Sequence, residues 1–156
     1  MNSATQNLLR SVLAERDQWL PTVRYDARQR WYQRLDIAHH DDANGHQAWL
    51  LSWLPGQRTG LHDHGGAAGG FTVVTGSLRE YTVVSGRGPA RLLGMTRTQG
   101  RHRLFGEHHI HEVVNDSPEP AVSLHVYTPS LSTMTRYDWT RRGAVATAVE
   151  SAGADW

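Results

Sequence analysis

Two histidines separated by one residue, His62 and His64, are the side chains of this sequence best placed to act together. On a β-strand, residues i and i+2 project from the same face, so both imidazoles can reach one metal ion while Asp63 points away. A third ligand must then come from elsewhere, and the segment Glu107-His108-His109-Ile110-His111-Glu112 offers His108, His109 and His111. The chain has 10 histidines and no cysteine. Disulfides and thiolate ligands are therefore excluded, and a metal would rest on histidine, carboxylate or water. Imidazole suits Fe, Zn, Cu and Ni alike, so the ligand type does not select the metal. A second constellation is Ser123, His125 and Tyr127. Alternation puts their hydroxyl, imidazole and phenol in a row on one strand face, where they can hydrogen-bond in series.

These residues need rigid elements to position them. Residues 4–20 carry Leu8, Leu9, Val12, Leu13, Trp19 and Leu20 near helical spacing, and Pro21 closes the stretch. A further short helix or turn is expected around 25–30. Beyond it, short runs rich in β-branched and aromatic residues alternate with turn signals every ~8–12 residues. Strands are expected at 31–39, 46–54, 70–75, 78–85, 90–97, 102–105, 110–115 and 121–128, with a further pair at 133–140 and 143–149. Asp42-Ala43-Asn44-Gly45, Pro55-Gly56, Gly76-Ser77, Gly86-Arg87-Gly88-Pro89 and Asn115-Asp116-Ser117-Pro118 mark turns between them. Many short strands with few helices predict an all-β sandwich or closed barrel. No repeat or long linker divides residues 1–156, so a single domain is expected, with a helix at about 4–20, a barrel at about 30–150 and a frayed C-terminal end. The glycine-rich stretch Gly65–Gly70 follows the histidine pair, where backbone is expected to pass close to a bound group.

The composition restricts the functional classes. The formal net charge is +1, which gives no electrostatic reason to expect nucleic acid or an anionic membrane as partner. No run of ~18 apolar residues is present, and the N-terminal residues lack a secretory pattern. A cytoplasmic location is expected.

The spacing of the histidines resembles the two cupin motifs. Gly56, five residues, His62, one residue, His64, four residues, Gly69, six residues and Gly76 are similar to the first. Gly100, five residues, Gly106, then His108, His111 and Asn115 are similar to the second. The resemblance implies a double-stranded β-helix, or jelly-roll, barrel and selects His111 as the third metal ligand. Gly69 stands where many cupins carry a glutamate ligand, so the site implied is three neutral imidazoles with open positions.

More narrowly, the chain resembles the cysteine dioxygenase family. The segments Trp53–Gly65, Gly76–Glu80, Ile110–Asn115 and Glu119–Tyr127 carry the resemblance, which covers roughly residues 30–128. It implies one Fe(II) per chain on His62, His64 and His111, and oxidation of a small thiol by O₂ to the sulfinic acid, L-cysteine to cysteine sulfinate in the first instance. 3-Mercaptopropionate or another small thiol is the alternative substrate. Tyr127 would act at the iron site, with His125 and Ser123 holding it. A cysteine that some family members cross-link to the tyrosine would fall at Gly69, so the chain resembles the bacterial members without the cross-link. Family members are often monomers. An arginine on an early strand holds the substrate carboxylate in the family. Within Arg30–Leu35, Arg34 is the expected anchor and Gln33 the alternative, and the two face opposite sides of a strand. His39, His40 and His46 are expected at the surface. A cupin enzyme using another metal and a non-catalytic metal- or ligand-binding cupin are the competing readings.

Overall fold

The β-branched and aromatic runs form eleven strands among the described residues, 3–151, of the computed structural model. They are β1 (Tyr32–Leu35), β2 (Gln47–Trp53), β3 (Leu61–His62), β4 (Ala68–Thr75), β5 (Ser77–Val84), β6 (Arg91–Thr98), β7 (His102–Phe105), β8 (His111–Val114), β9 (Ala121–Thr128), β10 (Thr133–Thr140) and β11 (Gly143–Ser151). One sheet has the order β1-β2-β9-β4-β7 and the other β11-β10-β3-β8-β5-β6. The paired strands are antiparallel. From β6 to β10 the chain changes sheet at every step. This winding of one chain through two facing sheets is a double-stranded β-helix, a form of jelly roll.

The two faces of the five-stranded sheet are both covered. On the inner face, Leu51, Trp53, Phe71 and Tyr127 belong to a core shared with Leu78 and Val113 of the other sheet. On the outer face, Leu50, Leu124 and Val126 meet Leu8, Leu9 and Val12 of helix α1 (Ser3–Ala14). β2 consequently reads as a largely apolar run, and β9, buried on both faces, alternates Val122, Leu124 and Val126 with Ser123, His125 and Tyr127. Each fully buried Leu or Val contributes about 1.5–3 kcal/mol, so three such residues hold the helix to the sheet.

The helix expected over 4–20 is interrupted. α1 ends at Ala14, and a short α2 (Arg16–Trp19) leads into a 3-10 turn at Leu20–Thr22. The break lets the Trp19 indole fold back and donate to the Val12 carbonyl at 2.9 Å. Residues 25–30 form bends and extended chain, not a helix. The strand expected at 31–39 is confined to β1, because the backbone turns at Ile37, whose carbonyl accepts from His40 N at 3.0 Å. The remaining strands lie within two residues of their expected positions, and β3 is an addition too short for periodicity to reveal. The expected fraying of the last few residues falls outside the described residues. No helix among the described residues is long and apolar enough to cross a membrane.

Candidate metal centre

His62 and His111 face each other across the β3–β8 ladder as register partners. His64 follows β3 by two residues. Ring centroids of the three imidazoles lie 4.8–5.1 Å apart. One nitrogen from each falls within 4.8 Å of the other two. Asp63 points away, accepting from the backbone N–H of Thr135 and Gly65 and from the Tyr137 hydroxyl.

Hydrogen bonds orient two of the rings. His62 Nδ1–H donates to the Gly60 carbonyl at 2.9 Å, and His111 Nδ1–H donates to Glu80 Oε1 at 2.8 Å. Each ring thus keeps an unprotonated Nε2 for coordination. His64 is 1% exposed, and neither of its nitrogens has a hydrogen-bond partner. A buried polar atom without a partner costs about 1–3 kcal/mol, and a metal ion bound by one His64 nitrogen removes this cost for that atom. Burial holds His62, His64 and His111 below the usual imidazole range. Mutual repulsion adds to this at His62 and His64, while Glu80 opposes it at His111. All three are held in the neutral form that binds metal. Buried, neutral and convergent, they fit a divalent first-row ion.

Gly69 leaves no space for a fourth protein ligand. A Cβ there would fall on the Val126 carbonyl oxygen, with Tyr127 Cδ1 at 3.0 Å and Phe105 Cε2 at 3.2 Å. A Cβ on Gly65, whose φ is +58°, would strike Thr133. Gly65, Gly69 and Gly70 therefore sit where neighbouring chain comes close, whereas a Cβ on Gly66 would meet nothing within 4 Å.

The carboxylate of Glu80 was not singled out by motif spacing. It is fully buried and takes His111 Nδ1 and His109 Nε2 on one oxygen, and Arg97 and Arg103 on the other. The opposing cost of burial is outweighed by these donors, which hold the group well below the usual carboxylate range. A sequence signal existed: Glu80 shares strand parity with Leu78, which faces the core. His109 stacks on Phe105 with centroids 4.8 Å apart. His108 has a side chain 92% exposed, and Glu112 pairs with Arg58 at 2.5 Å.

The second constellation assembles as a row on β9. Trp53 Nε1–H donates to Ser123 Oγ at 2.9 Å, Ser123 Oγ lies 2.8 Å from His125 Nε2, and His125 Nδ1 lies 3.3 Å from the Tyr127 hydroxyl. An indole N–H can only donate, so Ser123 accepts from it and keeps its own hydroxyl hydrogen free to give to His125 Nε2 when that nitrogen is unprotonated. In that tautomer His125 carries its proton on Nδ1 and donates to the Tyr127 oxygen. The Tyr127 hydroxyl hydrogen consequently points away from His125. Burial lowers His125 to about 3 and raises Tyr127 above the usual phenol range, so both are neutral at physiological pH.

A small cavity joins the two constellations. His62, His111, His125 and Tyr127 line it, together with Arg30, Arg136 and Met134. Neither Arg34 nor Gln33 does. Arg34 is exposed and borders a surface hollow with Asp36 and His46, and Gln33 lies beside Thr22. Arg30, four residues before Arg34, is the guanidinium of that segment that reaches the cavity. It sits 5.0 Å over the Trp53 ring, 7% exposed, and its buried Nη1 has no hydrogen-bond partner. Burial, then repulsion from Arg136, lowers it to about 10, so it remains charged at neutral pH. Parity gives Arg30 and Arg34 the same face, but not their depth along the barrel. Register resolves that: Arg34 pairs with Trp49, whereas Arg30 lies at the Trp53 end.

Fold and site together define a cupin-type barrel with a three-histidine centre. Residues 3–140 match the family described as cysteine dioxygenase type I, and the chain belongs to that family. No curated protein matches the sequence. Among solved structures, a Thermus thermophilus protein is 19% identical, with a TM-score of 0.57 over 70% of this chain and 92% of that one. A Klebsiella pneumoniae protein with a double-stranded β-helix domain is 17% identical, with a TM-score of 0.56 over 85% and 93%. A cupin domain from Schizosaccharomyces pombe is 9% identical, with a TM-score of 0.54 over 71% and 67%. These likenesses concern the fold.

Proposed function

We propose that this chain is an Fe(II)-dependent thiol dioxygenase that converts a small carboxylate-bearing thiol, L-cysteine in the first instance, to its sulfinic acid. The observation that carries the reading is the row from Trp53 through Ser123 and His125 to Tyr127, which ends beside a neutral three-histidine cluster. A cupin that only stores a metal has no use for it. Family membership supports the same chemistry.

His62, His64 and His111 would hold the iron, which when bound favours the thiolate form of the substrate and brings it together with O₂. Both oxygen atoms are added to sulfur, so thiolate and O₂ balance the sulfinate without a further reductant. Arg30 supplies a buried cation for the substrate carboxylate, matched to it in planar geometry. Its place over Trp53 fixes the guanidinium, so little rotamer freedom is lost on binding. Tyr127, kept protonated by burial, offers its hydroxyl hydrogen to oxygen beside the sulfur. His125 and Ser123 fix the direction of that hydrogen. The tight cavity favours a substrate of few atoms.

The test is O₂ consumption by the iron-loaded protein with L-cysteine, 3-mercaptopropionate, cysteamine and mercaptosuccinate, with the sulfinate identified by mass. Thiol-dependent uptake that disappears in His111→Ala is expected. Iron-loaded protein that consumes no O₂ with any of these thiols overturns the reading.

A further inference from the structure

A second group of metal-ligating side chains lies on the outside of the fold. Glu15 occupies the junction between α1 and α2, and His39 and His40 occupy the turn that connects β1 to β2. His39 Nε2 is 3.0 Å and His40 Nε2 is 3.4 Å from the same carboxylate oxygen, Glu15 Oε2. The two imidazoles lie side by side, with centroids 4.2 Å apart and planes at 35°. One atom from each of the three residues lies within 4.8 Å of the other two. The site is partly sheltered: the His40 side chain is 9% exposed and that of Glu15 31%.

We propose that Glu15, His39 and His40 bind a divalent transition-metal ion of the Zn²⁺ type, separate from the ion in the barrel. Ligand bonds of about 2.0–2.2 Å place neighbouring donor atoms about 3.0–3.5 Å apart on a tetrahedron or octahedron. Both His–Glu separations fall in that interval. Without metal, each Nε2–H donates to the carboxylate. With metal, each Nε2 loses its proton, and the ring carries one at Nδ1. The donor set of two imidazoles and one carboxylate suits Zn²⁺, and the chain has no thiolate to compete for it. Bound there, the ion ties the helical segment, which covers the outer face of the five-stranded sheet, to the turn that leads into β2. It is a stabilising clamp with no part in the thiol chemistry.

Equilibrium dialysis of the full chain against Zn²⁺ tests the proposal, because zinc fills either site. Wild type is expected to hold two ions, and His111→Ala and Glu15→Gln one each. Zinc should also raise the Tm of His111→Ala by several degrees and leave that of His111→Ala/Glu15→Gln unchanged. His39→Ala provides a second surface variant that does not disturb the barrel. Equal zinc content and affinity in wild type, Glu15→Gln and His39→Ala overturns the site. Zinc loss confined to His111→Ala does so too, and leaves the barrel site standing.

Discussion

Glu80 Oε1 lies 2.8 Å from His111 Nδ1, and the same buried carboxylate is paired with Arg97 and Arg103 through its other oxygen. His111, which we propose as the third metal ligand, is therefore anchored to a charge network that links the two sheets, with Glu80 on β5, Arg97 on β6 and Arg103 on β7. Glu80→Gln keeps the shape but removes the charge that raises the basicity of His111. Metal affinity should fall about 10–100-fold, measured by competition with a chelator. Unchanged affinity would mean that Glu80 serves packing alone.

His64 gives a prediction of opposite sign for stability and binding. Its two ring nitrogens are buried without partners. His64→Leu should stabilise the metal-free protein by about 1 kcal/mol, because an unsatisfied polar group is removed at similar volume. It should also abolish stabilisation by added Fe(II). Urea midpoints with and without metal measure both effects.

The cavity arginine is tested by a comparison of substrates. Arg30→Ala should raise KM for L-cysteine and 3-mercaptopropionate at least about tenfold, the loss expected for one charge-assisted pair of about 1.5–3 kcal/mol. Cysteamine, which has no carboxylate, should be little affected. Arg34→Ala should leave all three unchanged, because that side chain lies outside the cavity. A larger KM change in Arg34→Ala than in Arg30→Ala would restore the assignment drawn from the sequence.

Gly69 should not tolerate a side chain. Its missing Cβ faces the Val126 carbonyl, so Gly69→Cys should destabilise the fold by about 1–3 kcal/mol. It should form no cross-link to Tyr127, because β9 would have to move first. Denaturant midpoints and intact mass after turnover provide the check.

His125 makes stability depend on pH. Burial lowers it from 6.5 to about 3 in the folded chain. Between those values the unfolded chain binds the extra proton, so stability falls as pH falls, by about 1.4 kcal/mol per unit for this group, and levels off below about 3. Above pH 6.5 the group is neutral in both states and contributes no pH dependence. His125→Gln should show a shallower acid loss in urea midpoints from pH 7 to pH 4. Parallel curves for the two proteins would place the acid sensitivity elsewhere.

The sequence by itself determined the residue types and their parity. Alternation aligned Ser123 with His125 and Tyr127, because a strand sends every second side chain to one face, and it paired His62 with His64 although β3 itself ends at His62. Motif spacing selected His111, and short apolar runs between turn signals indicated the barrel. Only the tertiary structure decided which distant groups meet. Glu80 reaches His111 because β5 pairs with β8. Arg30, not Arg34, reaches the cavity because depth along a barrel follows from register and closure. His39 and His40 meet Glu15 because the broken helix brings its junction beside their turn. Glu15 and His39 stand 24 positions apart, and Glu80 and His111 stand 31 apart. Local periodicity carries no information over such distances, because it reports only which face of its own element a side chain occupies.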